Sequence, residues 1–350
     1  VQAAMKVAAL MSWDELLAKA KEEIGDNELI VLAATSRFDE SYFTELTGIK
    51  MKALNIGSTE IYEKVSNEVE NGLYLADIIG SPDTKSVGDM VANGWFENFV
   101  PDAFKSLIKE DEQNPLIVNY YNRVFMYNND NGKLTNRITN VWQLTEPEMK
   151  GFEMKNPILE TVTMNFFITL TKPENQKILA DAYKSYYGKD WVSDGTYKNI
   201  AYEWVHKFIQ NATFNTSDGP VVTNLSKSRP GSVAMAVFSK FRSVDTANLG
   251  LAAFDGVEGF SGFLYPFCLG ISATAKYPYT ACLYVNYIHH LKKQHLLIYR
   301  HDFSTNQKLF QGHIHHHQHL SNGDSNNICT AKDIHAKTRH TQVSPDNQLL

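Results

Sequence analysis

Two hydroxyls and a guanidinium, Thr35, Ser36 and Arg37, close the apolar run ELIVLAAT at the point where a helix is about to begin. A helix N-terminus points unpaired backbone N–H groups outward. Beside it, a guanidinium and hydroxyls can hold an anion or a polar solute through charge-assisted hydrogen bonds. Two further strand-to-helix turns carry residues of the same kind: Ser58 and Thr59 after IKMKALNI, and Ser81 with Asp83 after YLADIIG. Ser, Thr and Asp are also the ordinary helix-capping residues, so capping stands beside binding as a role for each of them. Arg37 caps nothing.

The elements that must position these residues alternate from Glu28 onward, strand, polar turn, helix, through three repeats that reach Gly94. That alternation predicts crossover connections and a mostly parallel sheet, whose ligand crevice lies outside the carboxyl ends of the strands. Before it, SWDELLAKAKEEIG predicts an amphipathic helix over 12–25, N-capped by Ser12 with Glu15 completing a capping box. The long apolar segment NPLIVNYYNRVFMYN, 114–128, is long enough to leave one lobe and enter another. Helices over PILETVTMNFFITL, PENQKILADAYKSYYG and NIAYEWVHKFIQ and a strand at VAMAVFS then predict a second α/β unit. GLAAFD and YPFCLGISATA are read as the return, leading to a helix in YPYTACLYVNYIHHLKK. The expected organisation is a first lobe over 1–120, a second over 121–245, a return over 246–293 and a His-rich tail over 294–350. The tail holds most of the twelve histidines, and its polar text without helix or strand period predicts an atypical or disordered segment.

Much chemistry is excluded. Lys+Arg 33 against Asp+Glu 39 gives a net charge of -6, and no basic stripe suited to phosphate backbones occurs, so nucleic acid is not an expected partner. No apolar stretch is long enough to span a bilayer. The opening VQAAMKVAALM has no basic n-region or cleavage site, so an export signal is not expected within it. There is no Walker loop, dinucleotide fingerprint, H-E-x-x-H or G-x-S-x-G. GFSGF at 259–263 misses the nucleophile-elbow spacing and makes Ser261 a turn serine. His206, between Trp204 and Phe208, is read as a packing or surface residue rather than a base. Cys268, Cys282 and Cys329 have no metal-ligand spacing. HIHHHQH at 313–319 could chelate a metal, but nothing around it supplies a supporting shell. No enzyme activity and no cofactor are expected. Whether a metal belongs to the site is left open by the residues: Asp83, Asp218 and the tyrosines of Tyr120/Tyr121 and Tyr186/Tyr187 could offer oxygens to a hard cation, although strand neighbours Tyr120 and Tyr121 must face opposite sides.

As an ordered set, AATSRFDESYFTELTGIKM, GSTEIYEKVSNEVENGLYLADII, NPLIVNYYNRVFMYN, TNVWQLTEPEMKG and FSKFR resemble the type 2 periplasmic solute-binding proteins of ABC importers, in the branch associated with iron(III), polyamine or thiamine transport. The resemblance covers roughly residues 12 to 290. It implies a two-lobed α/β clamp with hinge strands that closes on a small-molecule or metal-chelate ligand and delivers it to a membrane permease. A periplasmic or extracytoplasmic, monomeric, lipid-anchored or free protein is the corresponding expectation. Carried over by position, the binding loops fall on Ser36 and Arg37, on Ser58 and Thr59, and on Ser81 and Asp83. The crossing strand falls on Tyr120 to Tyr127, and Trp142, Thr163, Asn165, Ser239 and Lys240 would supply contacts from the second lobe, with Trp142 or Tyr121 as an aromatic wall. Where ferric-binding members present a tyrosine pair, this chain has AVFSKFRS, which favours an iron chelate or a phosphorylated or carboxylated solute over the bare ion. A polyamine or thiamine ligand, an enzyme on the same fold, and an interaction protein are the alternatives.

Overall fold

A computed structural model describes residues 1–35, 38, 40–135, 138–237, 250–254, 256–295 and 327–328, with 290–295 and 327–328 described by backbone alone. The chain divides into two compact units, and the boundaries within the described body fall between Tyr120 and Tyr121 and between Tyr265 and Pro266.

Unit 1 begins with α1 (Gln2–Ala8) and α2 (Trp13–Ile24). The capping box of α2 forms as its sequence dictates, with the Ser12 side chain accepting from the Glu15 N–H and the Glu15 carboxylate accepting from the Ser12 N–H. Three strand–helix pairs follow: β1 (Glu28–Ala33) and α3 (Glu40–Thr47), β2 (Lys50–Asn55) and α4 (Ser58–Glu70), β3 (Ile78–Ser81) and α5 (Thr84–Ala92). The short β4 (Phe96–Glu97) and α6 (Asp102–Lys105) lead to β5 (Ile117–Asn128), which carries the chain into unit 2. β1 pairs in parallel with both β2 and β3, so the turns after all three leave one edge of the sheet. Ile61, Val65, Ile79, Val87, Met90 and Phe96 form a core beneath them.

The body of unit 2 is the run Tyr121–Tyr265. It contains β6 (Phe152–Lys155), α7 (Thr161–Leu170), α8 (Pro173–Tyr187), α9 (Ile200–Gln210), β7 (Ala212–Asn215), α10 (Asp218–Lys227), β8 (Val233–Val237) and β9 (Leu251–Ala253). β6 runs parallel to β7 and β8, while β8 and β9 flank the unit 2 half of β5 in antiparallel pairing. Its core is aromatic: Phe125, Trp142, Phe152, Phe166, Trp204, Phe208, Phe260 and Phe263 are all buried.

The chain returns to unit 1 inside β10 (Gly262–Ser272), which pairs antiparallel with β3 and β4, and ends its described body with α11 (Pro278–His295). The N–H groups of Tyr279 and Thr280 in the first turn of α11 donate to the Glu23 carboxylate, which ties that helix to α2. Among the described residues no helix is long and apolar enough to cross a membrane.

GLAAFD differs from its expected place in a return to the first lobe. It forms β9, pairs with Met126–Asn128 and belongs to unit 2, where the Phe254 N–H also donates to the Phe125 carbonyl. The strand expected from Tyr74 begins only at Ile78. Asp77 intervenes, and its buried carboxylate accepts from the Ile30, Lys276 and Tyr277 N–H groups and from the Tyr74 hydroxyl at 2.7–3.1 Å. Burial raises the Asp77 pKa, and the hydrogen bonds only partly offset it. An acid whose pKa is raised on folding contributes stability at low pH that is lost as pH rises from its unfolded value, about 3.9, through the folded one. Asp77→Asn removes that contribution. In urea titrations the variant should therefore cost more stability near pH 4 than near pH 7, and an equal cost at both would rule out this linkage.

Candidate functional site

The edge of unit 1 is built by helix caps. Ser81, fully buried at the end of β3, accepts from the Asp83 N–H through its hydroxyl at 3.1 Å. Asp83 in turn caps α5, its carboxylate accepting from the Ser86 hydroxyl at 2.6 Å and from the Ser86 N–H at 3.5 Å. Both side chains thus make the local bonds that their types predict. The turn after β2 differs. Gly57 occupies the N-cap of α4 and offers no side chain, and Ser58 and Thr59 are its first residues, half-buried and exposed. Ser36 and Arg37, after β1, lie outside the described residues, as do Ser239, Lys240 and the histidine cluster at 313–319.

In unit 2 the structure gathers charge that the sequence left scattered. Arg123, on β5, is buried with 3% of its side chain exposed. Its Nη1 donates to Asp218 Oδ1 at 2.6 Å, and its Nη2 donates to Asp218 Oδ2 at 3.3 Å and to Glu160 Oε2 at 3.2 Å. Glu160 is the N-cap of α7, its Oε1 accepting from the Thr163 N–H at 2.8 Å. Asp218 opens α10 and also accepts from the Val237 N–H at 3.2 Å, pinning the end of β8. Burial alone would lower the pKa of the guanidinium; the Glu160 and Asp218 carboxylates outweigh it and hold the group above its ordinary value. Gly262 lets β10 pass close by: with φ +151° and an added Cβ only 2.2 Å from the Arg123 carbonyl oxygen, only glycine fits there.

The side chains expected along the second lobe have mixed fates. Tyr121 is half-buried, packed on the unit 2 core with its ring 5.9 Å from that of Tyr265. Tyr120 lies in unit 1, its hydroxyl 3.3 Å from Glu112, so the two neighbours do serve different sides. Trp142 offers no aromatic wall. It is fully buried, its indole N–H donates to the Leu179 carbonyl at 2.9 Å, and Tyr183 packs edge-on to it at 4.9 Å. Thr163 is fully buried and Asn165 nearly so. Tyr187 donates to Glu146, and its ring meets that of Tyr186 edge to face at 4.7 Å at the exposed end of α8. Sequence reasoning missed Arg123 and Glu160. Their signals were a lone arginine inside an apolar strand and a glutamate three residues before a threonine at the mouth of an apolar helix.

No family model matches the chain, and no curated protein sequence matches it. Solved structures do share its fold. The periplasmic binding protein P5PA is similar over 75% of this chain and 79% of its own, at 17% identity and a TM-score of 0.54. The Trichodesmium protein IdiA (FutA), solved with iron and citrate ligands, is similar over 75% and 81%, at 14% identity and a TM-score of 0.54. AfuA from Actinobacillus pleuropneumoniae, solved with fructose-6-phosphate bound, is similar over 75% and 78%, at 14% identity and a TM-score of 0.54. The chain has the α/β fold of the periplasmic binding proteins.

Proposed function

We propose that this chain is the substrate-binding component of an ABC-type importer, a monomer that captures a small polar solute outside the cytoplasm and delivers it to a membrane permease. The observation that carries the reading is the periplasmic-binding-protein fold, with the chain passing between its two units inside continuous strands, β5 and β10. The solute is ferric iron or its chelate, or a phosphorylated or carboxylated organic molecule; iron with citrate and fructose-6-phosphate are the ligands of two structures of this fold. Ser36, Arg37, Ser58, Thr59, Ser239 and Lys240 are the proposed contacts for its polar or anionic groups. Ser81, Asp83, Tyr121, Thr163 and Asn165 shape the surfaces around them.

A non-catalytic role accords with the reactive groups at hand. Burial pushes the Cys268 thiol up to about 12, far from thiolate chemistry at neutral pH. His206 lies exposed on α9, beside the Tyr197 hydroxyl at 2.9 Å. A bare cation held by Asp83 and Asp218 has weaker support, because Ser86 engages the first carboxylate while Arg123 and Val237 engage the second.

A thermal-unfolding panel with ferric citrate, ferric ion, sugar phosphates, polyamines and thiamine phosphates tests the proposal. A ligand present at about 100 times its Kd stabilises the folded state by about 2.7 kcal/mol. One class is expected to raise the Tm and the others to leave it. A cooperative transition that no member of a broad solute set moves would sink the transport reading.

A further inference from the structure

Glu68, in the last turn of α4, is fully buried, and among the described residues no lysine, arginine or histidine pairs with it. The ammonium of Lys276 stands instead over the rings of Tyr74 and Tyr277, 5.7 Å from each centroid. What Glu68 does meet is hydroxyls. Its Oε1 accepts from Ser272 Oγ at 3.4 Å and from Thr274 Oγ1, and those two hydroxyl oxygens lie 3.0 Å apart. Two hydroxyl hydrogens thus serve three oxygen–oxygen contacts, so one contact sets lone pair against lone pair. The other carboxylate oxygen, Oε2, is buried with no hydrogen-bond partner among the described residues. A buried carboxylate in this condition is strongly destabilising unless a positive charge completes it. The surroundings supply none. Glu70 adds a second acid to the same turn, the end of α4 carries partial negative charge, and that turn has no basic residue. Asp77, whose carbonyl receives the Ser272 N–H, is a second buried acid, with its carboxylate already engaged by three N–H groups and the Tyr74 hydroxyl.

We propose that Glu68, Ser272 and Thr274 hold a hard metal cation, of the sodium or calcium kind, which fastens the last turn of α4 to the segment that follows β10. All three residues belong to unit 1; Ser272 ends β10 and Thr274 lies two residues beyond it. With an ion in place both hydroxyls present lone pairs to it, and Glu68 Oε2 gains the partner it lacks. Oxygens 3.0 and 3.4 Å apart are spaced as neighbouring ligands of an ion with metal–oxygen distances of about 2.1–2.4 Å. A set of oxygens with one carboxylate suits a hard cation rather than zinc or copper, and no group of three His, Cys, Asp or Glu gathers among the described residues. Glu68 and Ser272 are fully buried, whereas Thr274 is half-buried and marks the side from which an ion enters. None of the three is a proposed contact for the solute, so the cation site stands apart from the transport reading.

The test uses the full chain, stripped of metal with a chelator and dialysed into a tetramethylammonium buffer. Sodium chloride and calcium chloride are the probes, titrated separately at constant ionic strength while thermal unfolding is followed. These ions bypass the histidine cluster at 313–319, whose imidazoles suit zinc, copper and nickel. One of the two, at about ten times its Kd, should raise the Tm by about 3 °C or more. In Glu68→Gln, which keeps the shape and removes the charge, that rise should vanish. Thr274→Val removes one ligand at the half-buried position and should weaken the cation about tenfold or more. It carries the comparison if Glu68→Gln does not fold. A stripped protein whose Tm neither ion moves, or folded variants that keep the full response, would overturn the inference. Stabilisation by acid alone, with no response to either ion, would assign the missing positive charge to a proton and overturn it equally.

Discussion

Replacing Arg123 with alanine should cost the fold about 3–5 kcal/mol. The guanidinium is the cation, among the described residues, that pairs with both Glu160 and Asp218, and its removal leaves two largely buried carboxylates facing each other. Desolvation has already been paid to bury them, and without the arginine neither has a charge partner to offset it. Four elements would feel the loss together, since Arg123 stands on β5, Glu160 caps α7, and Asp218 holds α10 to the last residue of β8. Urea denaturation followed by tryptophan fluorescence measures the change. Arg123→Met, which keeps much of the side-chain volume, separates the causes: a loss as large as that of alanine assigns it to charge, and a loss below about 1 kcal/mol in both would show that the pairs contribute little.

Trp142→Ala should be comparably damaging, at about 3–5 kcal/mol, because a large fully buried side chain leaves a cavity that its neighbours fill only in part. The indole also gives its N–H to Leu179 and its faces to Tyr183 and Tyr187, joining the turn after the unit 2 entry to α8. Trp142→Phe keeps most of the ring contact and should lose only about 1 kcal/mol, for the hydrogen bond. Solute affinity offers the contrast: a residue of the core should change stability and leave binding by the folded fraction unaltered. A Trp142→Phe protein of normal stability and weakened binding would return this residue to the site.

Legibility in the sequence followed the length and amphipathicity of each element. The first three strand–helix pairs were readable because apolar runs alternate with capped helices, and β1, β2, α4 and α5 lie where that pattern puts them. β6 and β7 were not, being four residues each; β7 buries little, so no period of two marks it. α10 hid behind Gly219 and Pro220, which read as turn residues but sit in its first turn, where a proline N–H is not needed. α1 is only seven residues and has no side-chain cap. At the candidate site, the residue types at the turns of unit 1 were legible, whereas the Arg123 cluster joins positions 37 and 95 residues apart. Only tertiary pairing brings such residues together, and no local pattern announces it.

The two passages of the chain between units also set an order for its synthesis. The body of unit 2 is the run from Tyr121 to Tyr265, so the pairings of β5 with β8 and β9 and of β6 with β7 and β8 become available as soon as that run has emerged. The sheet of unit 1 must wait for β10 to reach β3, and α2 must wait for α11 to supply the N–H groups that meet Glu23. Domains usually complete in the order in which they are made. Here the sheet of the N-terminal unit is begun first and closed only after the run Tyr121–Tyr265 has been made, holding an open edge of β3 in the nascent chain until β10 arrives.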